Sequence, residues 1–197
     1  MESKQILDAK IEPWYLLKHP FYQAWECGEL PVDGLRVYAE EYGALISLMP
    51  TGWTTLNDAH TTEEEEEHIE LWADFADGLN TKVAEAQITE VKALVDIARE
   101  LFSQPATALG ALYAFEAQQP ETAKSKLEGL RKFYNLDAKV EPYFEEHSHN
   151  EHEAEKLLTR IEALPEEERE VAYVACETMS KALWDALTGI FATQKMN

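Results

Sequence analysis

The stretch ATALGALYAFEAQQPETAKSKLEGLRKFY, residues 106–134, carries the pattern that decides the fold. Apolar side chains in it recur at three- and four-residue steps, which is the spacing of one face of an α-helix. These positions are Leu109, Leu112, Tyr113, Ala123, Leu127 and Leu130. Pro120 stands between the two runs and is unfavourable inside a helix, because it lacks a backbone N–H. The stretch therefore predicts a helix with an irregularity at Pro120.

The same rhythm recurs along the rest of the chain, which predicts an all-α fold. The predicted helices cover residues 20–28, 32–49, 63–79, 86–103, 106–132, 138–162 and 165–193. Glycine and proline number 8 each and fall mostly between these segments, as expected of helices joined by short turns. A chain of 197 residues can bury one substantial core, so we expect a single domain over residues 1–197.

The charge balance excludes several classes of partner. Lysine and arginine number 17 against 38 aspartate and glutamate, a formal net charge of -21, which would repel nucleic acid. The sequence has no apolar run of membrane-spanning length and no secretory signal pattern, so we expect a cytoplasmic protein with no membrane partner. Cys27 and Cys176 have no CxxC partner, and each is interpreted as a small, buried apolar side chain.

Ionisable residues on the apolar face of a helix are the candidates for chemistry, because a buried charge must be paired, neutralised or bound to a metal. The apolar stripe of residues 106–134 contains Glu116 and, beyond Pro120, Lys126. These two side chains could neutralise one another. Alternatively, Glu116 is a metal ligand and Lys126 is a functional amine in the same cavity.

His68 lies on the apolar stripe of the helix predicted over residues 63–79. Glu64 or Glu65, within the run EEEEE, lies one turn before it. A Glu-x-x-His step is used by carboxylate-bridged di-iron proteins, and a four-residue step is geometrically as good. Either glutamate is therefore a candidate ligand beside His68.

Three histidines fall in EEHSHNEHEAE, residues 145–155, and helical phase divides them. The apolar stripe of the helix predicted here places His147 and Glu151 on the inward face. His149 and His152 share the charged face and are expected to be exposed. His147 is either a core histidine hydrogen-bonded to Glu151 or, with it, a metal ligand.

Three helices thus direct imidazoles and carboxylates toward one interior. Neutral imidazoles mixed with carboxylates, and without thiolate, suit iron or manganese better than calcium or magnesium, with zinc also possible. This convergence predicts a metal site.

Five segments of the chain resemble the haem-oxygenase-like metal oxidase family, which groups CADD-like, PqqC-like and TENA-like proteins. They are HPFYQAWECGELPVDGLRVYAEEY at 19–42, HIELWADFADGL at 68–79, LYAFEAQQPETAKSKLEGLRKFY at 112–134, YFEEH at 143–147 and ALWDALTGIF at 182–191. The resemblance implies a bundle of about seven helices around a central cavity, as a rule in a homodimer. It further implies two metal ions, iron or an iron and manganese pair, that activate dioxygen, and it implies no haem.

The resemblance also implies roles for particular residues. His68 falls in the family's HxxLW element, Glu116 precedes its AQxPE turn, and His147 opens its HxxxDxxH element. Tyr22 and Lys126 match the tyrosine and lysine that the CADD-like branch implicates as sources of the ring and the amino group of para-aminobenzoate. The expected metal ligands are Glu64, His68, Glu116, His147 and Glu151, and the expected catalytic residues are Tyr22 and Lys126.

The chain departs from the family pattern in three places. The departures are Glu151 at the aspartate position, Ala154 at the closing histidine, and Thr61 at the glutamate before His68. Glu155 could replace the closing ligand. A two-residue shift could instead bring His152 into that role, with His149 at the aspartate position.

Three functions stay open on these residues. The first is a di-metal oxidase that acts on a small-molecule substrate or on its own Tyr22 and Lys126. The second is a TENA-type hydrolase of the thiamin pyrimidine, which would need Cys176 as its nucleophile. The third is a non-catalytic binding protein whose metal site is incomplete.

Overall fold

The computed structural model describes residues 2–194, and this part of the chain is helical with no β-strand. Its α-helices are α1 Ser3–Ile11, α2 Pro20–Glu26, α3 Val32–Ile46, α4 Met49–Thr55, α5 Ala59–Gly78, α6 Thr89–Leu101, α7 Pro105–Glu116, α8 Gln119–Phe133, α9 Pro142–His147, α10 Glu151–Glu162 and α11 Glu166–Thr193. The prediction of an all-α fold is confirmed. Within the same range, no helix is both long and apolar enough to cross a bilayer.

The chain forms more and shorter helices than the sequence pattern predicts. Helices α1 and α4 are absent from the prediction, and two predicted helices are each divided in two. One divides into α7 and α8, because Pro120 is suited to the first turn of a helix and not to its interior. The other divides into α9 and α10 at residues 148–150, where Asn150 has a ψ of 51° that no α-helix accommodates. This second break changes which side chains of α10 face the interior.

The longest helix, α11, packs along α7 and α6 and also contacts α1 and α3. Helix α7 is buried on every side from Ala108 to Glu116, as expected of a helix that is apolar all round. Gly110 permits the close approach of α7 to α11, because a Cβ at this position would lie 1.9 Å from the carbonyl oxygen of Ala172. The central pair of helices thereby fixes Glu116 at the inner end of α7.

A layer of aromatic side chains fills the space between α2, α3, α5 and α9. Its fully buried members include Trp25, Tyr38, Trp72, Phe75 and Phe144. The rings meet mostly edge to face, as Trp72 and Phe75 do with centroids 5.2 Å apart, which is a favourable arrangement for aromatic pairs. We call this set the aromatic layer, and it forms one wall of the site described next.

The two cysteines lie in different environments. Cys176 of α11 is buried as predicted, whereas Cys27 is exposed, so the prediction for Cys27 is wrong. Cys27 follows the last residue of α2, where the backbone turns through Gly28 with a φ of 69°. The general tendency of free cysteine to be buried does not hold at this turn, where the backbone leaves the helix.

Candidate metal centre

Helices α5 and α9 bring together three buried side chains that could hold a metal ion. Glu65 and His68 come from α5 and His147 from α9, and one ligand atom of each lies within 4.8 Å of the others. Nδ1 of His68 is 3.3 Å from Oε2 of Glu65, and the two imidazole rings have centroids 4.3 Å apart. Two histidines and one carboxylate form the ligand set typical of non-haem iron oxygenases.

His147 is held in the tautomer that a metal ligand needs. Its Nδ1 lies 2.7 Å from the carbonyl oxygen of Tyr143, and because a carbonyl can only accept, Nδ1 carries the hydrogen. Nε2 is then left with a free lone pair. Burial, together with the nearby His68, lowers the pKa of His147 to about 3, so its ring is neutral near neutral pH.

The pKa of His68 moves in the opposite direction. Burial lowers it, but the hydrogen bond and charge of Glu65 and the charges of Glu153 and Glu146 outweigh burial and raise it above its ordinary value. The surroundings of His68 therefore favour positive charge, which a metal ion could supply in place of a ring proton.

Glu116, the last residue of α7, is a completely buried carboxylate. Neither of its carboxylate oxygens has a hydrogen-bond partner within the described part of the chain. Burial raises the pKa of Glu116 well above its usual range, and the carboxylates of Glu153 and Glu65 raise it further. The negative end of the α7 dipole adds to the cost of an unpartnered charge here. A bound cation would relieve both penalties.

Glu153 of α10 is a further buried carboxylate, which the sequence analysis missed. It is 1% exposed, and no described residue forms a hydrogen bond with its Oε2. Burial and the neighbouring charge of Glu65 raise the pKa of Glu153 to about 7. The signal that could have found it is the stripe of Glu153, Leu157 and Ile161 at four-residue steps, which becomes visible once α10 is started at residue 151.

The remaining predicted ligands lie outside this cluster or outside the described side chains. Glu64 is 37% exposed and lies 3.4 Å from His60, so Glu65 and not Glu64 is the glutamate that faces His68. The side chain of Glu151 is outside the part of the structure that is described. Three other candidates from residues 145–155 have exposed side chains, namely His149, His152 and Glu155. The two histidines are exposed, as helical phase predicts, and neither suggested replacement for the closing histidine, His152 or Glu155, is in the buried cluster.

Tyr22 of α2 and Lys126 of α8 lie side by side against the aromatic layer. Nζ of Lys126 is 3.4 Å from the hydroxyl of Tyr22 and 3.2 Å from that of Tyr38, and the two hydroxyls are 3.3 Å apart. The same Nζ lies over the ring of Phe144, 5.1 Å from its centroid. Burial lowers the pKa of Lys126 to about 7 and raises the pKa of Tyr22 far above its usual range. Burial thus favours the neutral form of both groups.

Lys126 and Glu116 do not neutralise one another, so that interpretation of the sequence is wrong. The hydrogen-bond partners of Lys126 are tyrosine hydroxyls, and the oxygens of Glu116 have no partner among residues 2–194 as described. Ring contacts nevertheless connect the two regions. Tyr143 stacks on His147 with centroids 4.1 Å apart, and Trp72 contacts both Tyr143, at 4.7 Å, and Tyr38, at 5.4 Å.

A surface cleft of about 520 Å³ reaches the cluster at His68. Acidic side chains dominate its lining, which comprises Glu64, Glu67, His68, Glu70, Leu71, Asp74, Glu146, Asn150 and His152. A cleft lined by one sign of charge concentrates counter-ions. It is therefore a suitable entrance for a divalent cation.

The donor set of imidazole nitrogens and carboxylate oxygens, without thiolate, fits iron or manganese. Residues 51–184 match a protein family described as iron-containing redox enzymes. The chain belongs to this haem-oxygenase-like family of iron-containing redox enzymes. The family resemblance drawn from the sequence is thereby confirmed.

The names of individual relatives describe a more specific activity than the family description does. A 4-aminobenzoate synthase from Nitrosomonas europaea is 32% identical and aligns with 95% of this chain and 90% of its own. A protein of the same name from Chlamydia pneumoniae is 30% identical and aligns with 80% of this chain and 82% of its own.

Solved structures agree on the fold. A TenA homologue from Pseudomonas syringae pv. tomato superposes with a TM-score of 0.77 at 15% identity, covering 98% of this chain and 96% of its own. A TenA homologue from P. horikoshii gives a TM-score of 0.75 at 15% identity, covering 98% and 99%. At this identity the likeness establishes the helical fold and nothing about chemistry.

Proposed function

We propose that this protein is an oxygen-activating iron oxidase that forms 4-aminobenzoate, also called para-aminobenzoate, from its own Tyr22 and Lys126. The observation that carries the proposal is the buried contact between these side chains beside a cluster of imidazoles and carboxylates. A ring and an amine held in contact need no diffusional encounter before they react. The relatives named 4-aminobenzoate synthase support the same product.

The proposed iron ligands are Glu65, His68, Glu116 and His147. We propose two ions, both iron or one iron and one manganese, because Glu116 lies next to the group of three ligands rather than within it. When bound, the metal would supply activation of dioxygen and the oxidising power for the reaction. The Nδ1 hydrogen bond of His147 to Tyr143 orients the imidazole toward the metal, as outer contacts of metal ligands commonly do.

The chain's own groups prepare the amine and the ring. Lys126 is a nucleophile only when neutral, and its pKa of about 7 leaves a substantial neutral fraction near neutral pH. The hydroxyl of Tyr22 has the hydroxyl of Tyr38 3.3 Å away as a hydrogen-bond partner for its proton. The aromatic layer around both excludes water, which protects reactive species from hydrolysis.

The test is a single-turnover experiment on the full-length protein. Metal-free protein is reconstituted with ferrous ion and exposed to dioxygen, with oxygen uptake and 4-aminobenzoate both quantified. We expect no more than one product molecule per chain, because the ring and the amine are consumed, and we expect a matching change in the intact mass of the protein. Many turnovers without a change in mass would instead indicate a small-molecule substrate.

Two matched variants connect the chemistry to the metal centre. Glu116→Gln keeps the shape of the buried side chain and removes its charge, so we expect loss of both oxygen uptake and product. Glu155→Gln removes an exposed carboxylate and should behave as the wild type. Full oxygen uptake by Glu116→Gln would contradict the assignment.

The two alternative functions can be distinguished from the proposed oxidase, one by the structure and the other by the same experiment. A TENA-type hydrolase is disfavoured because burial raises the pKa of Cys176 to about 12, whereas the reactive form of cysteine is the thiolate. A non-catalytic binding protein would retain no iron and take up no oxygen after reconstitution.

A further inference from the structure

The two positions where the family pattern expects further ligands cannot supply them here. Thr61 of α5 is buried, and its hydroxyl accepts a hydrogen bond of 2.6 Å from Nζ of Lys156. Lys156 is also paired with Asp58 at 3.2 Å. Ala154 has no ligating atom. At this end of the space between α5 and α10, the Lys156 ammonium group and the Asp58 carboxylate already satisfy one another.

The next turn of each helix carries a buried carboxylate instead. Helices α5 and α10 run in opposite directions at this contact, because Asp58 also faces Arg160, at 3.7 Å, one turn beyond Lys156. One turn forward from Thr61 is Glu65, and one turn back from Lys156 is Glu153. Both are at most 3% exposed, and their charges interact. Glu65 and Glu153 therefore face one another across α5 and α10 as Thr61 and Lys156 do, one helical turn further into the molecule.

The resulting group of acids lacks sufficient positive charge. Glu65, Glu116 and Glu153 are all buried and their charges interact. Three of their oxygens have no hydrogen-bond partner among the residues that the structure describes. The charges of Glu116 and Glu153 interact, and ionised carboxylates can only accept hydrogen bonds. Lys156 is already engaged by Asp58 and Thr61, and Lys126 by two tyrosine hydroxyls. Burying such a group without a cation is costly.

We propose that Glu153 is a metal ligand that takes the place of the missing closing histidine, while Glu65, one helical turn after Thr61, takes the place of the missing glutamate. The inference rests on the proposed function, since it assumes that a divalent iron or manganese ion binds in this cluster. The break at residues 148–150 makes the exchange possible, because it sets the phase of α10 independently of α9 and brings Glu153 to the inward face.

The test measures metal binding directly and does not depend on turnover. Metal-free, full-length wild type and three variants are titrated with Mn²⁺ by calorimetry, and with Fe²⁺ under anaerobic conditions. The variants are Glu153→Gln, Glu151→Gln and Glu155→Gln. We expect Glu153→Gln to lose one equivalent of metal or to bind at least about tenfold more weakly, and the other two to match the wild type.

The thermal stability of the metal-free protein separates a ligand from a merely structural residue. Glu153→Gln removes one of the crowded acids and introduces an amide donor next to Glu116, so we expect a higher melting temperature without metal and a smaller increase on adding it. A lower melting temperature without metal, together with unchanged affinity, would overturn the proposal.

The remaining outcomes are also distinguishable. Loss of binding in Glu151→Gln instead of Glu153→Gln would return the ligand to the aspartate position of the family and overturn the proposal. If the wild type binds neither ion, the proposed function itself fails. If the wild type binds metal and Glu153→Gln binds it equally well, only the role of Glu153 is refuted.

Discussion

Replacement of Lys126 by methionine should make the metal-free protein more stable while removing the amine that the proposed reaction needs. Lys126 is 3% exposed, and burial lowers its pKa from 10.5 to about 7. Between these two values the unfolded chain holds the lysine proton more tightly than the folded protein does, so the stability of the wild type rises with pH in that window. Methionine fills a similar volume and carries no proton.

The magnitude follows from the shift. One pKa unit is worth about 1.4 kcal/mol, so at pH 7 the buried lysine costs about 4 kcal/mol of folding free energy, and at pH 9 about 2 kcal/mol. The variant also loses the long hydrogen bonds to the hydroxyls of Tyr22 and Tyr38, which destabilises it by about 1 kcal/mol. We therefore expect Lys126→Met to be more stable than the wild type by about 3 kcal/mol at pH 7 and by about 1 kcal/mol at pH 9.

Urea unfolding followed by tryptophan fluorescence measures both differences, because the chain contains 5 tryptophans, of which Trp25 and Trp72 line this region. Lys124→Met is the matched control, since Lys124 is an exposed lysine of the same helix and its replacement should change stability little at either pH. A Lys126→Met variant that is less stable than the wild type at pH 7, or whose advantage is the same at both pH values, would refute the reasoning.

Three further perturbations have defined outcomes. Tyr22→Phe should abolish 4-aminobenzoate formation while leaving Mn²⁺ affinity unchanged, since Tyr22 contacts none of the proposed ligands; parallel product assays and calorimetry would check this. Gly110→Ala should destabilise the fold by about 3 kcal/mol in urea unfolding, because the added methyl group meets the Ala172 carbonyl, whereas this change usually stabilises a helix. Asp58→Asn should cost about 1 kcal/mol at neutral pH. Burial alone would raise the pKa of Asp58, but the Thr61 N–H and Lys156 lower it overall, so the loss should vanish in unfolding curves recorded as the pH falls below 3.8.

Much of the interior could be predicted from the sequence because burial repeats with the period of a helix. That period places His68, Glu116, Lys126 and His147 inside, and all four are buried. It cannot choose between Glu64 and Glu65, because residues three and four positions before His68 lie equally near its face. The packing of α5 against α9 makes that choice, and the local sequence pattern does not contain this information.

The helical phase of one residue predicts which other residues face the interior only within one continuous helix. Extending it from α10 back through residues 148–150 points to Glu151 and Ala154, whereas starting α10 afresh points to Glu153. Asn150 is a residue type that favours turns, so the break had a local signal. In the proposal above, the closing ligand that a fixed spacing reports as lost at Ala154 is supplied by Glu153, the residue directly before it.

The contact between Tyr22 and Lys126 joins residues 104 positions apart, on α2 and α8. In a nascent or unfolded chain the phenol of Tyr22 and the amine of Lys126 are not held in contact. A fragment of the chain that lacks α2 or α8 lacks one of the two groups. The reagents for the proposed synthesis therefore come into existence only when the tertiary structure forms. Under the proposed function, Tyr22 and Lys126 can react with one another only after the protein has folded. The reaction therefore cannot consume them while the chain is still being synthesised.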